Sequence, residues 1–229
     1  MFVQQFFDDR DGLAKALADD IAKRLSQAIV QRGRATFVVS GGSSPVNVYN
    51  LLSEYPINWS AVTVLPSDER WVSRDHADSN AAMIHRELLR DRAAKARYVD
   101  LYDGQVAYRD AAATISDRIR SLPSPFDFVL LGMGSDGHTA SLFPDAPDID
   151  AALASRQACV LAEPPSQPLP RISLTPRSLL NAGAIGILFF GQEKGDVFAE
   201  ASIPGELNEY PIRCVLRQEL VPVTSYFAL

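Results

Sequence analysis

The sequence predicts an α/β protein, a three-layer αβα sandwich around a mostly parallel, Rossmann-like sheet. Short continuous apolar runs, such as Thr36–Val39 and Phe126–Leu131, suit strands buried on both faces. They alternate with segments of helical periodicity, the pattern of right-handed crossovers with helices on both faces of the sheet. Glycine-rich or charged segments directly follow several of the runs, where ligands bind in open α/β sheets.

Leu13, Leu17, Ile21, Leu25 and Ile29 recur every four residues and predict a first helix, with Gly33 as its stop. The strand at 36–39 runs into Ser40-Gly41-Gly42-Ser43-Ser44-Pro45. A helix should follow, with Ser44 as N-cap, Pro45 at its first position, and Val48, Leu51 and Leu52 facing the core. Residues 61–65 read as a strand leading to Asp68-Glu69-Arg70, residues 79–89 as a helix, 97–101 as a short strand and 107–119 as a helix. The strand at 126–131 ends in Gly132-Met133-Gly134-Ser135-Asp136-Gly137-His138. After a Pro/Asp-rich loop come strands at 158–162 and 172–174. A short helix capped by Thr175 opens at Pro176, and a strand covers 184–190. A helix begins around Gly191-Gln192-Glu193-Lys194 and reaches about residue 201. The tail, through Cys214–Leu216 and Val221–Phe227, reads as strand closing the sheet.

The 229 residues, 47% of them hydrophobic, can bury a full core, and no linker divides them, so residues 1–229 are expected to form one domain. The formal net charge is −6 with no basic stripe, which argues against a nucleic-acid partner. The N-terminus lacks the pattern of a secretory signal, and no apolar run approaches the roughly 18 residues of a membrane span. Cys159 and Cys214 have no zinc-like spacing and read as reduced thiols of a cytoplasmic protein. His76, His85 and His138 form no HxH or HExxH pattern, so no histidine-built metal site is expected.

Four segments fall at strand ends and should converge on one cleft: Ser40–Pro45, Asp68–Arg70, Gly132–His138 and Gly191–Lys194. In the first, free N–H groups and a helix dipole favour an anion, and glycine permits close approach of the backbone. Without a following Gly-Lys-Ser/Thr it is no P-loop, and it is not GxGxxG, so a nucleotide is disfavoured. Asp68-Glu69-Arg70 could bind sugar hydroxyls and phosphate, or be a solvated charged turn. His138, held in a glycine-rich loop after a buried strand, suits acid–base work, whereas His76 and His85 read as structural or surface residues. Lys194 in a helix's first turn opposes the dipole, a mismatch that an anion would relieve. By position alone Arg171 reads as a surface charge.

Together SGGSSP, SDERWV with DSN at 78–80, GMGSDGHTASLFP, PRISLT and GQEK resemble the 6-phosphogluconolactonase family, in the expected order from about residue 36 to 198. The resemblance implies a fold shared with glucosamine-6-phosphate deaminases and ribose-5-phosphate isomerases. It implies metal-free hydrolysis of a phosphorylated sugar lactone in the oxidative pentose phosphate pathway, with no cofactor and no membrane partner. His138 matches the family's proposed general base, and Asp68 the acid of its DER element. Gly41, Gly42 and Ser43 match the substrate-binding turn, and Arg70, Arg171 and Lys194 match cations around the phosphate. Gly137 joins the substrate-binding positions through its loop, whose N–H groups are candidates to stabilise an oxyanion. Ser44 and Ser73 depart from the common threonine and proline, conservatively for a loop. Nothing is carried over beyond about Glu206.

Two rival readings stay open. A deaminase-like isomerase would share the Gly-Asp-Gly-His type of loop, but its loop continues toward Asn-Glu-Pro rather than Thr139–Pro144, and its acidic turn ends in tyrosine rather than Arg70. A non-catalytic sugar-phosphate sensor would need a DNA-binding module, and the α/β pattern starts too early to leave room for one.

Overall fold

The computed structural model describes residues 2–229. In chain order the elements are β1 (Phe2–Phe7), α1 (Arg10–Arg32), β2 (Ala35–Val39), α2 (Val46–Ser53), β3 (Val62–Pro66), β4 (Asp68–Arg70), α3 (Asn80–Glu87), β5 (Arg97–Tyr98), α4 (Tyr108–Arg120) and β6 (Phe128–Gly132). They continue through α5 (Ile149–Leu153), β7 (Cys159–Ala162), β8 (Arg171–Leu174), α6 (Pro176–Leu179), β9 (Ile185–Phe190), α7 (Gln192–Ser202), α8 (Arg213–Leu216) and β10 (Val223–Ala228). Seven strands form a parallel sheet in the order β1-β10-β9-β6-β2-β3-β5.

Side-chain alternation divides the interior into two cores, one on each face of the sheet. Phe37 and Val39 of β2 and Phe128 and Leu130 of β6 pack with Leu13, Leu17, Ile21 and Leu25 of α1. Val38, Val129 and Leu131 point the other way, toward Ile115 of α4, Phe198 of α7 and Val215 of α8. At β2 and β6 both faces are covered, so these strands have no exposed side, and their continuous apolar runs follow from that. Helix α1 is capped by Asp9, whose side chain accepts the Gly12 N–H at 2.7 Å, and ends at Gly33 with φ 72°.

Several elements differ from the sequence reading. β1 was not expected: five of its six residues are exposed, so it has no buried–exposed alternation, and it forms the sheet edge beside β10. The tail therefore does not close the sheet. Cys214–Leu216 belongs to the short helix α8 rather than a strand, since an apolar run that short fits either period. Helix α2 starts one residue late, with Pro45 as N-cap, no side-chain cap from Ser44, and Leu51 exposed while Val48, Tyr49 and Leu52 are buried. Helix α5 occupies part of the Pro/Asp-rich loop, and β5 has only two residues. β7 and β8 lie outside the parallel sheet, in a separate antiparallel sheet ordered β4-β8-β7. This small sheet packs against one face and carries Asp68, Arg70 and Arg171 to the cleft.

Candidate active site

A cleft of about 250 Å³ opens at the carboxyl ends of β2, β6 and β9. Gly41, Gly42, Ser43, Asp68, Arg70, His138, Arg171 and Lys194 all line it, so the four distinctive segments do converge. Gly137 does not line the cleft. It is buried with φ 75°, its N–H bonds to the Gly134 carbonyl at 3.1 Å, and its own carbonyl accepts the Ile212 N–H at 2.9 Å. A Cβ there would collide with the Tyr210 ring, so Gly137 closes the loop against the segment before α8.

His138 follows β6 in this loop. Its Nδ1 lies 2.6 Å from Asp136 Oδ1, and its ring stacks on Phe143 at 4.0 Å between centroids. Burial pushes the Asp136 carboxyl up, but hydrogen bonds from His138 and its nearby charge outweigh this and leave it below its ordinary value. An ionised carboxylate can only accept, so in the neutral imidazole Nδ1 carries the proton and Nε2 presents its lone pair. Ala140 lines the same cleft at φ 49°, a left-handed conformation that costs a non-glycine residue energy and is common at functional sites.

At the other wall, Asp68 is buried, with Oδ2 accepting from Ser141 Oγ at 2.6 Å and Oδ1 from Ser67 Oγ at 3.1 Å. Arg171, read from sequence as a surface charge, is only 7% exposed, because β8 lies inside the small sheet. Its Nη1 stands 3.8 Å from Asp68 Oδ2, its Nη2 donates to Gln167 at 2.6 Å, and its guanidinium lies over the Phe143 ring. Burial pulls its pKa down, with Asp68 opposing. Arg70 donates from Nη1 to the Asp78 carbonyl at 2.5 Å. The Nε atoms of both arginines are buried and lack a hydrogen-bond partner among the described residues.

Lys194, in the first turn of α7, makes no ion pair among the described residues, and burial lowers its pKa. The N–H groups of Gly42, Ser43 and Ser44 likewise find no protein acceptor among the described residues, and Gly42 adopts φ 81°. Unpaired donors and cations gathered at one cleft have the chemistry to take an anion. Among the described residues, no group of three or more His, Cys, Asp or Glu side chains is placed to hold a metal ion, and no helix is long and apolar enough to cross a membrane.

Sequence reasoning missed Asn80, which lines the cleft and donates from Nδ2 to the Asp68 carbonyl at 2.9 Å. It also missed Asp136 as the partner of His138. The signal was available: an Asp two residues before a loop residue commonly accepts that residue's N–H, and Asp136 Oδ1 accepts the His138 N–H at 3.0 Å. Glu69 was read as part of a segment that either binds sugar hydroxyls and phosphate or is a solvated charged turn; its side chain is wholly buried, so it is not solvated.

The fold and cleft define an α/β protein that gathers unpaired N–H donors, cations and one oriented histidine at the carboxyl ends of its parallel strands. Residues 8–223 match the family described as glucosamine-6-phosphate isomerases/6-phosphogluconolactonase, and the chain belongs to that family. Among similar proteins, the 6-phosphogluconolactonase of Pseudomonas aeruginosa is 42% identical, covering 90% of this chain and 88% of its own. That of Rhizobium meliloti is 41% identical, covering 97% of both chains. The crystal structure of a 6-phosphogluconolactonase from Shewanella baltica superposes with a TM-score of 0.97 at 36% identity, covering 100% of this chain and 98% of that one. A monomeric glucosamine-6-phosphate deaminase shares the fold alone, with a TM-score of 0.81 at 16% identity.

Proposed function

We propose that this protein hydrolyses 6-phospho-D-glucono-1,5-lactone to 6-phospho-D-gluconate in the oxidative pentose phosphate pathway, with His138 as general base. The observation that carries the reading is His138 itself, held by Asp136 with Nε2 free, in a cleft lined also by Arg70, Arg171 and Lys194. Support comes from relatives named 6-phosphogluconolactonase at 41–44% identity, against 16% for the deaminase.

The substrate is a cyclic ester bearing a phosphate. Arg70, Arg171, Lys194 and the Gly41–Ser43 turn hold the phosphate by charge-assisted and backbone hydrogen bonds. Anchoring that end places the ester carbonyl near His138, and such positioning is itself catalytic. Nε2 takes a proton from water as the water oxygen bonds to C1, giving a tetrahedral intermediate. The bond from C1 to the ring oxygen then breaks, and the imidazolium returns the proton to that oxygen. Loop N–H groups around the cleft stabilise the developing oxyanion. Both cysteines are buried, and burial pushes each thiol up to about 12, so neither is a nucleophile at neutral pH. Two unpaired buried thiols also suit a cytoplasmic location.

The test is hydrolysis of freshly generated lactone with EDTA present and the spontaneous rate subtracted, with wild type and His138→Ala side by side. Fast wild-type turnover that collapses in the variant, with KM little changed, supports the reading. A folded wild type that does not accelerate hydrolysis overturns the reaction, and near wild-type turnover by His138→Ala removes the histidine from its role.

A further inference from the structure

Behind the cleft wall, Glu69 has no exposed surface and touches no part of the cleft, yet its carboxylate joins the two segments that supply Arg70 and Asn80. Oε1 accepts the N–H of Arg70 on β4 and that of Asn80 at the start of α3, both at 2.8 Å. Oε2 accepts the Ala81 N–H at 2.7 Å and faces Ser79 Oγ at 3.4 Å. Two further bonds run in parallel, from Arg70 Nη1 to the Asp78 carbonyl and from Asn80 Nδ2 to the Asp68 carbonyl. Asn80 in turn packs so closely on the Gly41 turn that a Cβ at Gly41 would overlap its amide. One carboxylate therefore fixes Arg70, Asn80 and, through Asn80, the glycine turn.

We propose that Glu69 is a positioning residue that holds Arg70 and Asn80 in register for the substrate phosphate, so that affinity for the phosphorylated ligand requires its carboxylate to accept from both segments at once. This rests on the reading of the cleft as a sugar-phosphate site.

The tie to α3 depends on the second carboxylate oxygen as well as the first. Both oxygens face N–H donors, and a carboxylate supplies acceptors only. A proton on Oε2, or an amide nitrogen in its place, takes the acceptor from the Ala81 N–H and loosens the start of α3, while Oε1 still accepts from Arg70 and Asn80. Burial raises the Glu69 carboxyl to about 7, against lowering by the Asn80, Ala81 and Arg70 N–H groups. Asp68 on its own strand raises it further. Arg70, Asp78 and Glu69 all act on Arg171 from one neighbourhood, and Tyr98 of β5 feels Glu69 together with Asp100, Arg74 and Tyr49. His85 of α3 lies against Tyr98 and stays below its ordinary pKa through burial, then Arg74. Neither Tyr98, raised well above its ordinary pKa, nor His85, lowered, accounts for a transition at 7.

The experiment measures binding of 6-phosphogluconate by calorimetry from pH 6 to 8.5 in wild type and Glu69→Gln, with lactone hydrolysis recorded alongside. At pH 8 the variant is expected to bind about tenfold more weakly, with KM raised likewise and kcat within about twofold. Wild-type affinity should weaken as pH falls through about 7, and the variant should lack that step, while the phosphate's own titration is common to both. Equal affinities, or the same step in both proteins, overturn the proposal, as does a fall in kcat alone. Should the variant not fold, carbon NMR of the Glu69 carboxyl in wild type decides. Linkage requires bound 6-phosphogluconate to lower its midpoint, and an unchanged midpoint overturns the proposal. Hydrolysis without the Glu69-dependent step defeats this inference alone. The step without hydrolysis supports it and defeats only the lactonase reading.

Discussion

Asp136 Oδ1 receives both the Nδ1–H of His138, at 2.6 Å, and the His138 backbone N–H, at 3.0 Å. One carboxylate oxygen thus fixes the tautomer of the ring and the turn that presents it. Asp136→Asn can offer an amide N–H to Nδ1 and so move the imidazole proton to Nε2, removing the base. The expected outcome is a fall in kcat of about a hundredfold or more with KM little changed. Steady-state kinetics check it, and unchanged kcat would show that Asp136 does not set the tautomer.

Lys194 should behave in the opposite way. It is a partly buried cation without an ion pair among the described residues, so without ligand its charge is a cost. Lys194→Met is expected to raise KM about tenfold or more while leaving thermal stability unchanged or slightly higher. Kinetics with a parallel melting curve test this. A lowered Tm with unchanged KM would assign Lys194 to structure instead.

Gly137 is fixed by conformation and by space. An alanine there must hold φ near 75° and displace the Tyr210 ring. Gly137→Ala should lose about 2 kcal/mol of stability or more and also lower kcat, because the same loop carries His138. Tyr210→Ala in the same chain should recover part of both losses. A double-mutant cycle by urea unfolding measures the coupling, and strictly additive effects would show that the ring is not the obstacle.

The buried carboxyl of Glu69 also predicts how stability varies with pH. Its folded pKa, about 7, stands above its ordinary 4.5. Between those values the folded state holds a proton that the unfolded chain has released, so this contribution is full below about 4.5 and is lost as pH rises to about 7. Urea unfolding of wild type at pH 5 and pH 8 should show the loss, and Glu69→Gln should lack that component. Identical pH dependence in the two proteins would mean Glu69 stays ionised throughout.

Much of the fold was legible because burial on both faces writes itself into composition. The runs at β2, β3, β6 and β9, and the four-residue repeat of α1, needed no tertiary information. β1 was illegible because an exposed edge strand has no alternation to read. α8 was misread because a short apolar run has no resolvable period. Of the nine residues marked for the cleft, eight line it: Gly41, Gly42, Ser43, His138 and Lys194 follow strands of the parallel sheet, and Asp68, Arg70 and Arg171 arrive on the small antiparallel sheet. Gly137 was marked for its loop, but only the position of Tyr210 reveals that its missing side chain makes room for a ring.

By itself the sequence determined the α/β class, the parallel order of burial and the chemical types gathered at the strand ends, because those depend on local periodicity and on where glycine and charge interrupt it. Only the tertiary structure decided that Arg171 is buried beside Asp68, and that Glu69 ties Arg70 to Asn80. Those relationships join residues through the antiparallel pairing of β4 with β8 and through a helix start meeting a strand, and each exists only once separate segments of the backbone meet.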